Sequence, residues 1–421
     1  MRHLLTTILT MAVLVTNAQT QTYETTVVDA VTHERLPFAS IFVDGETSTI
    51  TNAVGVFSIS CKPTDILRIS FVGYKSTFIE ASQLKEVVTL QPQEKMLQEL
   101  VVVPIGPLID KICKETLRLQ RKYKTYTSKF FYRQTAFKGA QCYEFVESFL
   151  QGYSAVSLRE LTLQSGRYAG LLSDSTNQYT FFGNFYTFSQ LEIAATYKVP
   201  TFADDVVPLF RYYDRFYNAS YWVISDDDGN RIFAINFEPK PEIAKKYAIL
   251  SGTVYVDEKT LHIRRFEGQG LNFRVMTRTE AKKGILGFNR YTFETSKASF
   301  YYVVEMTEER GFPEVQSVYV DESHEYNGEN ITTRSLLFNL GEMQKKKNAG
   351  VFQKISSWFS RQYDNNTKGR NLKFQDELHK AINEQGYYPE FWEKNEIVRR
   401  TPIEDDVLRL FKQKNLFGVL K

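Results

Sequence analysis

The residues best suited to metal or acid–base chemistry are five histidines, His3, His33, His262, His324 and His379. A zinc peptidase needs a His and a Glu close in sequence and a second, distant His that reaches the same metal. None of these histidines lies in an HExxH motif, and His33-Glu34 and His324-Glu325 occur in polar, turn-like contexts. The sequence therefore predicts no metal site and no bound cofactor.

Motifs for nucleophilic or phosphate chemistry are incomplete. Gln164-Ser165-Gly166 lacks the preceding glycine of a GxSxG nucleophile elbow. Gly268-Gln269-Gly270 occurs without the rest of a dinucleotide-binding turn. The two carboxylates of a glycosidase leave no motif, because they can lie far apart in sequence, and a glycan-active hydrolase remains an alternative. The preferred prediction is a non-enzymatic protein with no catalytic residues.

Two charged runs invite ligand interpretations. Asp226-Asp227-Asp228 offers clustered carboxylates to a hard cation, but its spacing is not that of an EF-hand loop, and it is predicted to be a solvated hairpin turn. Lys345-Lys346-Lys347 could contact anionic lipid headgroups, and we interpret it as a solvated linker.

Aromatic residues are abundant, with 32 Phe and 25 Tyr. They offer either a ligand-binding surface or a packed core, and the core is the preferred interpretation. The candidates singled out for packing or for ligand contact are Trp222, Tyr388, Phe391 and Trp392.

Charge and cysteine content narrow the class further. The chain has 52 basic and 49 acidic residues among 421, so no electrostatic case for nucleic-acid binding arises. The three cysteines are Cys61, Cys113 and Cys142. Cys113 and Cys142 could form a disulfide, or they could be small buried hydrophobic residues; the sequence leaves both open.

The N-terminus has the pattern of a secretory signal peptide. Arg2 and His3 precede an apolar run at residues 4–15, which is too short to span a bilayer. Small residues then precede an expected cleavage site after Ala18. The sequence therefore predicts export, with removal of residues 1–18.

Residues 22–103 are predicted to fold as a β-sandwich. Alternating apolar runs at 56–60 and 66–72 flank a turn, and a further strand lies at 39–43. The structural motif residues are Gly55, Phe57, Gly73 and Tyr74. Gly73 is expected to adopt a backbone conformation or a close contact that a side chain disfavours.

On these residues the segment resembles the carboxypeptidase-regulatory-like domain, a transthyretin-like sandwich found in cell-envelope proteins of Bacteroidetes-type bacteria. The resemblance extends from Val28-Asp29 to Val72-Gly73-Tyr74, and includes Gly55-Val56-Phe57. It implies a non-catalytic domain, since the catalytic part of such peptidases is absent.

The rest of the chain is predicted to be a hinge and helix at 104–125, a large curved antiparallel sheet at 126–340, and a helical C-terminal segment at 341–421. Hairpin signals recur in the sheet region, for example around Asp226 to Asn230. Helices are expected at 351–363, 372–385 and 403–414, and the C-terminal segment should cover the inner face of the sheet. The sheet region also resembles the half-open barrels of periplasmic lipoprotein carriers. The fold class is mainly β, of the α+β type.

These observations predict a non-enzymatic cell-envelope protein with a binding or assembly role in the periplasm or at the outer membrane. The expected partner is an envelope protein, or a glycan or lipid-like ligand. The alternatives are an outer-membrane β-barrel with an N-terminal sandwich extension and the glycan-active hydrolase.

Overall fold

The structure is a computed structural model, and it describes residues 20–43, 46–93, 105–139, 141–170, 212–225, 229–283, 289–308, 310–326, 329–345 and 398–413, with Leu378, Ala381, Ile382, Glu384 and Trp392. The chain divides into two compact units. The first is Met1–Gln93 with Glu396–Thr401, and the second is Glu94–Asn395 with Pro402–Lys421. The predicted signal peptide, the helix at 351–363, Tyr388 and Phe391 lie outside the described residues.

The first unit has seven short strands among its described residues. They are β1 (Gln21–Asp29), β2 (Ser40–Val43), β3 (Glu46–Ile50), β4 (Val56–Cys61), β5 (Ile66–Ser70), β6 (Thr77–Glu80) and β7 (Val87–Leu90). One sheet has the order β4-β1-β7 and the other β3-β2-β5-β6. Their alternating apolar residues form one core, which includes Val27, Phe57 and Ile69, each with no exposed surface. The predicted sandwich-like domain is confirmed.

Two glycines of the sandwich have backbone conformations that other residues adopt only at an energetic cost. Gly73 has φ +88° and Gly55 has φ +73°, both in the left-handed region. A Cβ on Gly55 would also lie 2.9 Å from Arg35 Cβ. Beside Gly73, Tyr74 donates its hydroxyl to Asp29 Oδ2 at 2.7 Å and so ties the end of the 66–74 segment to β1. Arg399 belongs to the same unit, because its carbonyl accepts a hydrogen bond from Asn52.

Among its described residues, the second unit has one ten-stranded antiparallel sheet and four helices. The helices are α1 (Ile105–Tyr123), α2 (Tyr213–Phe216), α3 (Pro241–Ala244) and α4 (Pro402–Gln413). The strands are β8 (Tyr126–Lys138), β9 (Gln141–Tyr153), β10 (Arg159–Gly170), β11 (Tyr217–Ser225), β12 (Arg231–Pro239), β13 (Ile249–Asp257), β14 (Ile263–Lys283), β15 (Asn289–Thr307), β16 (Glu314–Tyr326) and β17 (Glu329–Lys345).

The strand order is β10-β9-β8-β17-β16-β15-β14-β13-β12-β11, and the sheet does not close among the described residues. Two meanders, β8–β10 and β11–β17, are joined by the pairing of β17 with β8. The predicted large antiparallel sheet, the amphipathic helix before it and the β11–β12 hairpin are confirmed.

Both faces of the sheet are covered. We call the face that carries α1 the helix face: Leu108, Ile109 and Ile112 of α1 share its core with Phe130 and Leu337. On the opposite face, Val407, Leu408 and Phe411 of α4 pack with Phe145. Because successive strand residues point to opposite faces, both sides of β8 and β9 are buried.

Candidate functional site

Six buried polar side chains lie together on the helix face, within a core that is otherwise mostly apolar. We call this group the polar cluster: Gln134, Ser148, Glu322, His324, Thr333 and Ser335. None is more than 3% exposed. Each occupies a position two or four residues along its strand from a member of the apolar core, so strand periodicity places all six on the same face.

The sheet register brings the cluster together from four strands. Thr333 of β17 is paired directly with Glu322 of β16, and Ser335 is paired with Gln134 of β8. Ser148 of β9 is paired with Tyr132, two residues before Gln134. Side chains of directly paired residues have Cβ atoms about 4.5–5.5 Å apart. The cluster is therefore contiguous across β9, β8, β17 and β16.

Gln134 is held in one orientation by its carbonyl oxygen. Tyr132 donates its hydroxyl to Gln134 Oε1 at 2.5 Å, and the Ser335 hydroxyl donates to the same atom at 3.3 Å. These two bonds use the acceptor end of the side-chain amide. The donor end, Nε2, is left to meet another group.

Glu322 and His324 form a buried pair on β16. Glu322 Oε1 and His324 Nδ1 lie 2.8 Å apart. Burial raises the pKa of Glu322 well above its ordinary value of 4.5, and the nearby Asp321 charge adds to the rise. Burial also lowers the pKa of His324 to about 4. Both shifts favour the uncharged form of each group.

Four polar atoms of the cluster have no hydrogen-bond partner among the described residues. They are Gln134 Nε2, Ser148 Oγ, Glu322 Oε2 and Thr333 Oγ1. An unmet buried donor or acceptor costs about 1–3 kcal/mol, and native proteins contain few of them. Four on adjacent strands of one face make the polar cluster the candidate site among the described residues.

The surroundings of the cluster are partly apolar and partly polar. Val146, Val320 and Leu337 are its buried neighbours on the same face. Glu144 borders it and adds to the rise in the pKa of Tyr132 and Tyr168, which burial mainly causes. Along the sheet, Glu144 and Glu322 are separated by Ala136 and Thr333. A ligand on this face would therefore meet hydrogen-bonding groups and hydrocarbon side by side.

A buried ion-pair group occupies the opposite face of the same strands. Glu147 accepts hydrogen bonds from Arg133 Nε at 2.7 Å and Arg167 Nε at 2.8 Å. Glu404 of α4 lies 3.7 Å from Arg133 Nη1. The Trp392 ring lies over the Arg167 guanidinium, 4.8 Å from its central carbon. Every charge in this group has an opposite partner. We therefore interpret the group as an attachment of the C-terminal segment, through Trp392 and Glu404, to this face of the sheet.

The aromatic candidates from the sequence do not form one site. Trp222 lies on β11 at one end of the strand order and is 39% exposed. Trp392 is 4% exposed and packs 5.4 Å from the Phe149 ring on β9, near the other end. Tyr388 and Phe391 lie outside the described residues.

The C-terminal segment contributes to both faces, which differs from the expected covering of one inner face. Ala381 and Ile382 pack into the core of the helix face. Trp392 and α4 lie on the opposite face, because their contacts Phe149 and Phe145 alternate with Ser148 and Val146 along β9. The buried ion pairs of that face explain the difference, since they attract Trp392 and Glu404.

Sequence reasoning missed the polar cluster and misplaced His324. The ring does not lie in a polar turn; it is inside β16, fully buried, whereas Glu325 beside it is exposed. The available signal was the series of alternate residues Val318, Val320, Glu322 and His324, which begins with two apolar residues and continues with two polar ones. If the whole series is taken as one strand, Glu322 and His324 lie on the same buried face as the two valines.

The remaining candidate features are the cysteines, the possible metal ligands, the possible membrane-spanning helices and the acidic run at 226–228. Cys61, Cys113 and Cys142 are all buried, and none of the three forms a disulfide. Within the described ranges, no group of three or more His, Cys, Asp or Glu is placed to hold a metal ion. In the same part of the chain, no helix is both long and apolar enough to cross a membrane. Residues 226–228 lie outside the described residues.

Comparison with known proteins identifies one domain. Residues 24–102 match the family model of the CarboxypepD_reg-like domain, so the chain contains such a domain. No curated protein matches the chain.

Two solved structures show a weak likeness. The Pseudomonas aeruginosa MucA/MucB complex is 12% identical, with 56% of this chain and 99% of that chain covered and a TM-score of 0.17. MucB in complex with MucA(peri) is 8% identical, with 54% and 92% covered and a TM-score of 0.17. Likeness at these TM-scores says nothing about the fold or function of this chain.

Proposed function

We propose that the protein is a non-catalytic binding protein of the cell envelope, exported to the periplasm or to the outer membrane, and that its ligand occupies the polar cluster. The observation that carries the proposal is the set of four buried polar atoms without partners among the described residues. Binding sites combine an apolar lining with a few placed polar groups, and the helix face combines the two here.

Two observations support a location in the cell envelope. The CarboxypepD_reg-like domain at 24–102 is of the kind that the sequence resemblance associates with envelope proteins of Bacteroidetes-type bacteria. The apolar run at residues 4–15 with small residues before Gln19 has the pattern of a cleaved leader. A mature N-terminus at Gln19 would be the expected mass-spectrometric result.

The non-catalytic part of the proposal rests on the sequence, in which neither a complete nucleophile elbow nor a zinc-peptidase motif occurs. The open sheet with helices on both faces likewise favours a binding protein over the outer-membrane alternative.

Native mass spectrometry of the full mature protein, purified from the envelope fraction without detergent, tests the proposal. We expect a non-covalent adduct of at least one small molecule, released on denaturation. Protein that carries no adduct under these conditions, when prepared from cells grown to several densities, would contradict the proposal.

A further inference from the structure

We propose that the part of the ligand that meets the polar cluster carries no net charge, has both hydrogen-bond donors and acceptors, and is attached to an apolar body. This deepens the proposed function and rests on it. The chemical class is a small amphiphile with a hydroxyl or amide head, as in a monoacylglycerol or a fatty amide.

The free atoms set the hydrogen-bonding pattern of the head. Gln134 Nε2 can only donate, because an amide nitrogen carries no acceptor lone pair. The amide oxygen already accepts from Tyr132 and Ser335. The hydroxyls of Ser148 and Thr333 can each donate and accept. Such a set requires at least one acceptor on the ligand and accommodates a donor beside it. Hydroxyl and amide groups supply both.

Among the described residues of β8, β9, β10, β16 and β17, no buried cation occupies a helix-face position at the cluster. Arg133, Arg167 and Arg334 belong to these strands but occupy opposite-face positions, alternating with Gln134, Tyr168 and Ser335. Among the described strand residues of the helix face, Lys138 is the cation nearest in register, and it is exposed at the end of β8. Burying an unpaired carboxylate against neutral hydroxyls is strongly unfavourable.

A cationic head is disfavoured at Glu322, the carboxyl group of the cluster. Glu322 shares Oε1 with His324 and offers Oε2 to the ligand. Burial raises the pKa of Glu322 and so favours its protonated form. In that form Oε2 can donate to a carbonyl or accept from a hydroxyl, and it offers no negative charge to a cation.

The apolar body follows from what adjoins the cluster. Val146 precedes Ser148 by two residues on β9, Val320 precedes Glu322 on β16, and Leu337 follows Ser335 on β17. A ligand whose head reaches the four free atoms therefore lies against hydrocarbon on three strands, and burial of hydrocarbon there favours binding.

Isothermal titration calorimetry with three ten-carbon probes tests this. The probes are 1-decanoylglycerol, decanoate and decyltrimethylammonium, each titrated at pH 7 below its aggregation concentration into full-length, ligand-stripped protein. We expect the neutral probe to bind at least tenfold more tightly than either charged probe. Equal or tighter binding of a charged probe, or no binding of any probe, would overturn the inference.

Two substitutions change the hydrogen-bonding groups of the polar cluster while nearly keeping the volume of the side chain. Glu322→Gln keeps a neutral hydrogen-bonding group of the same size, so we expect the preference for the neutral probe over both charged probes to persist. Gln134→Met removes the donor at similar volume and should weaken binding of the neutral probe at least fivefold. Loss of the preference for the neutral probe in Glu322→Gln would point to recognition by a carboxylate and contradict the proposal. If the native protein carries an adduct but the stripped protein prefers a charged probe, the proposed function is supported and only the inference of a neutral ligand is contradicted.

Discussion

The carboxyl group of Glu322 and the imidazole of His324 lie 2.8 Å apart on the helix face, two residues apart on β16, and neither side chain has more than 1% of its surface exposed. Burial acts on the two groups in opposite directions. It raises the pKa of Glu322 and lowers that of His324 to about 4. The uncharged form of each group is therefore favoured in a part of the sheet where charge would be costly.

The first prediction concerns the pH dependence of stability. Below pH 4.5 Glu322 is protonated in both the folded and the unfolded chain. As the pH rises above 4.5, the unfolded chain ionises and the folded one does not, so the free energy of unfolding falls, at most by about 1.4 kcal/mol per pH unit. Glu322→Gln removes this loss. We expect the stability of Glu322→Gln relative to wild type to increase between pH 5 and pH 7 in urea titrations.

Glu325→Gln is the matched control for that experiment. Glu325 lies on the same strand, with its side chain exposed, and its substitution should leave the pH dependence of wild type unchanged. His324 contributes in the other direction, since stability is lost as the pH falls from 6.5 towards 4. That loss is common to wild type and variant. A constant stability difference across the pH range would show that Glu322 ionises normally in the folded protein.

The second prediction concerns the thiols. Burial raises the pKa of Cys113 and of Cys142 to about 12, and it also raises that of Cys61. Since the thiolate is the reactive form, native protein at pH 8 should react negligibly with Ellman's reagent. Unfolding in guanidinium without reductant should release three thiols per chain. A count of one would instead reveal a Cys113–Cys142 disulfide.

The third prediction compares two tryptophans. Trp392 is 4% exposed and packs on Phe149 and Arg167, so Trp392→Ala should lower the free energy of unfolding by about 3–5 kcal/mol. Trp222 is 39% exposed on β11, and Trp222→Ala should cost less than about 1 kcal/mol. Urea denaturation measures both. Similar losses in the two variants would show that Trp392 is not part of a packed core.

The fourth prediction uses the unmet hydroxyl of Thr333. Valine has nearly the same volume and lacks the polar atom, so Thr333→Val should raise the stability of ligand-stripped protein by about 1 kcal/mol. Thr332 is the neighbouring control, half-buried on the opposite face of β17, and Thr332→Val should change stability by less than about 0.5 kcal/mol. Destabilisation by Thr333→Val would mean that the hydroxyl already has a partner in the folded protein.

Much of the architecture could be predicted from local sequence patterns. The alternation on both sides of Gly229 and Asn230 predicted the β11–β12 hairpin, and the apolar spacing in 108–122 predicted α1. The start of α4 at Pro402 lies one residue from the predicted start. These elements follow from side-chain periodicity within a single segment, which a sequence displays directly.

The polar cluster could not be predicted in the same way. Its members come from β8, β9, β16 and β17, and the pairing of β17 with β8 brings Ser335 beside Gln134 across about 200 residues of chain. Alternation also fails to indicate an inner face where both faces are covered, as they are at β9. Phe145 and Glu147 are as buried as Val146 and Ser148, so sequence gives no contrast between the two sides.

The central claim is that a ligand completes the hydrogen bonding of the polar cluster, and ligand occupancy in Ser148→Ala/Thr333→Val measured by native mass spectrometry tests it most directly. The double variant removes two of the four free atoms while leaving the apolar neighbours in place. We predict a folded protein at least as stable as ligand-stripped wild type, with an adduct fraction reduced at least fivefold, and an unchanged fraction in Thr332→Val. A double variant that retains the full wild-type adduct fraction would contradict the claim.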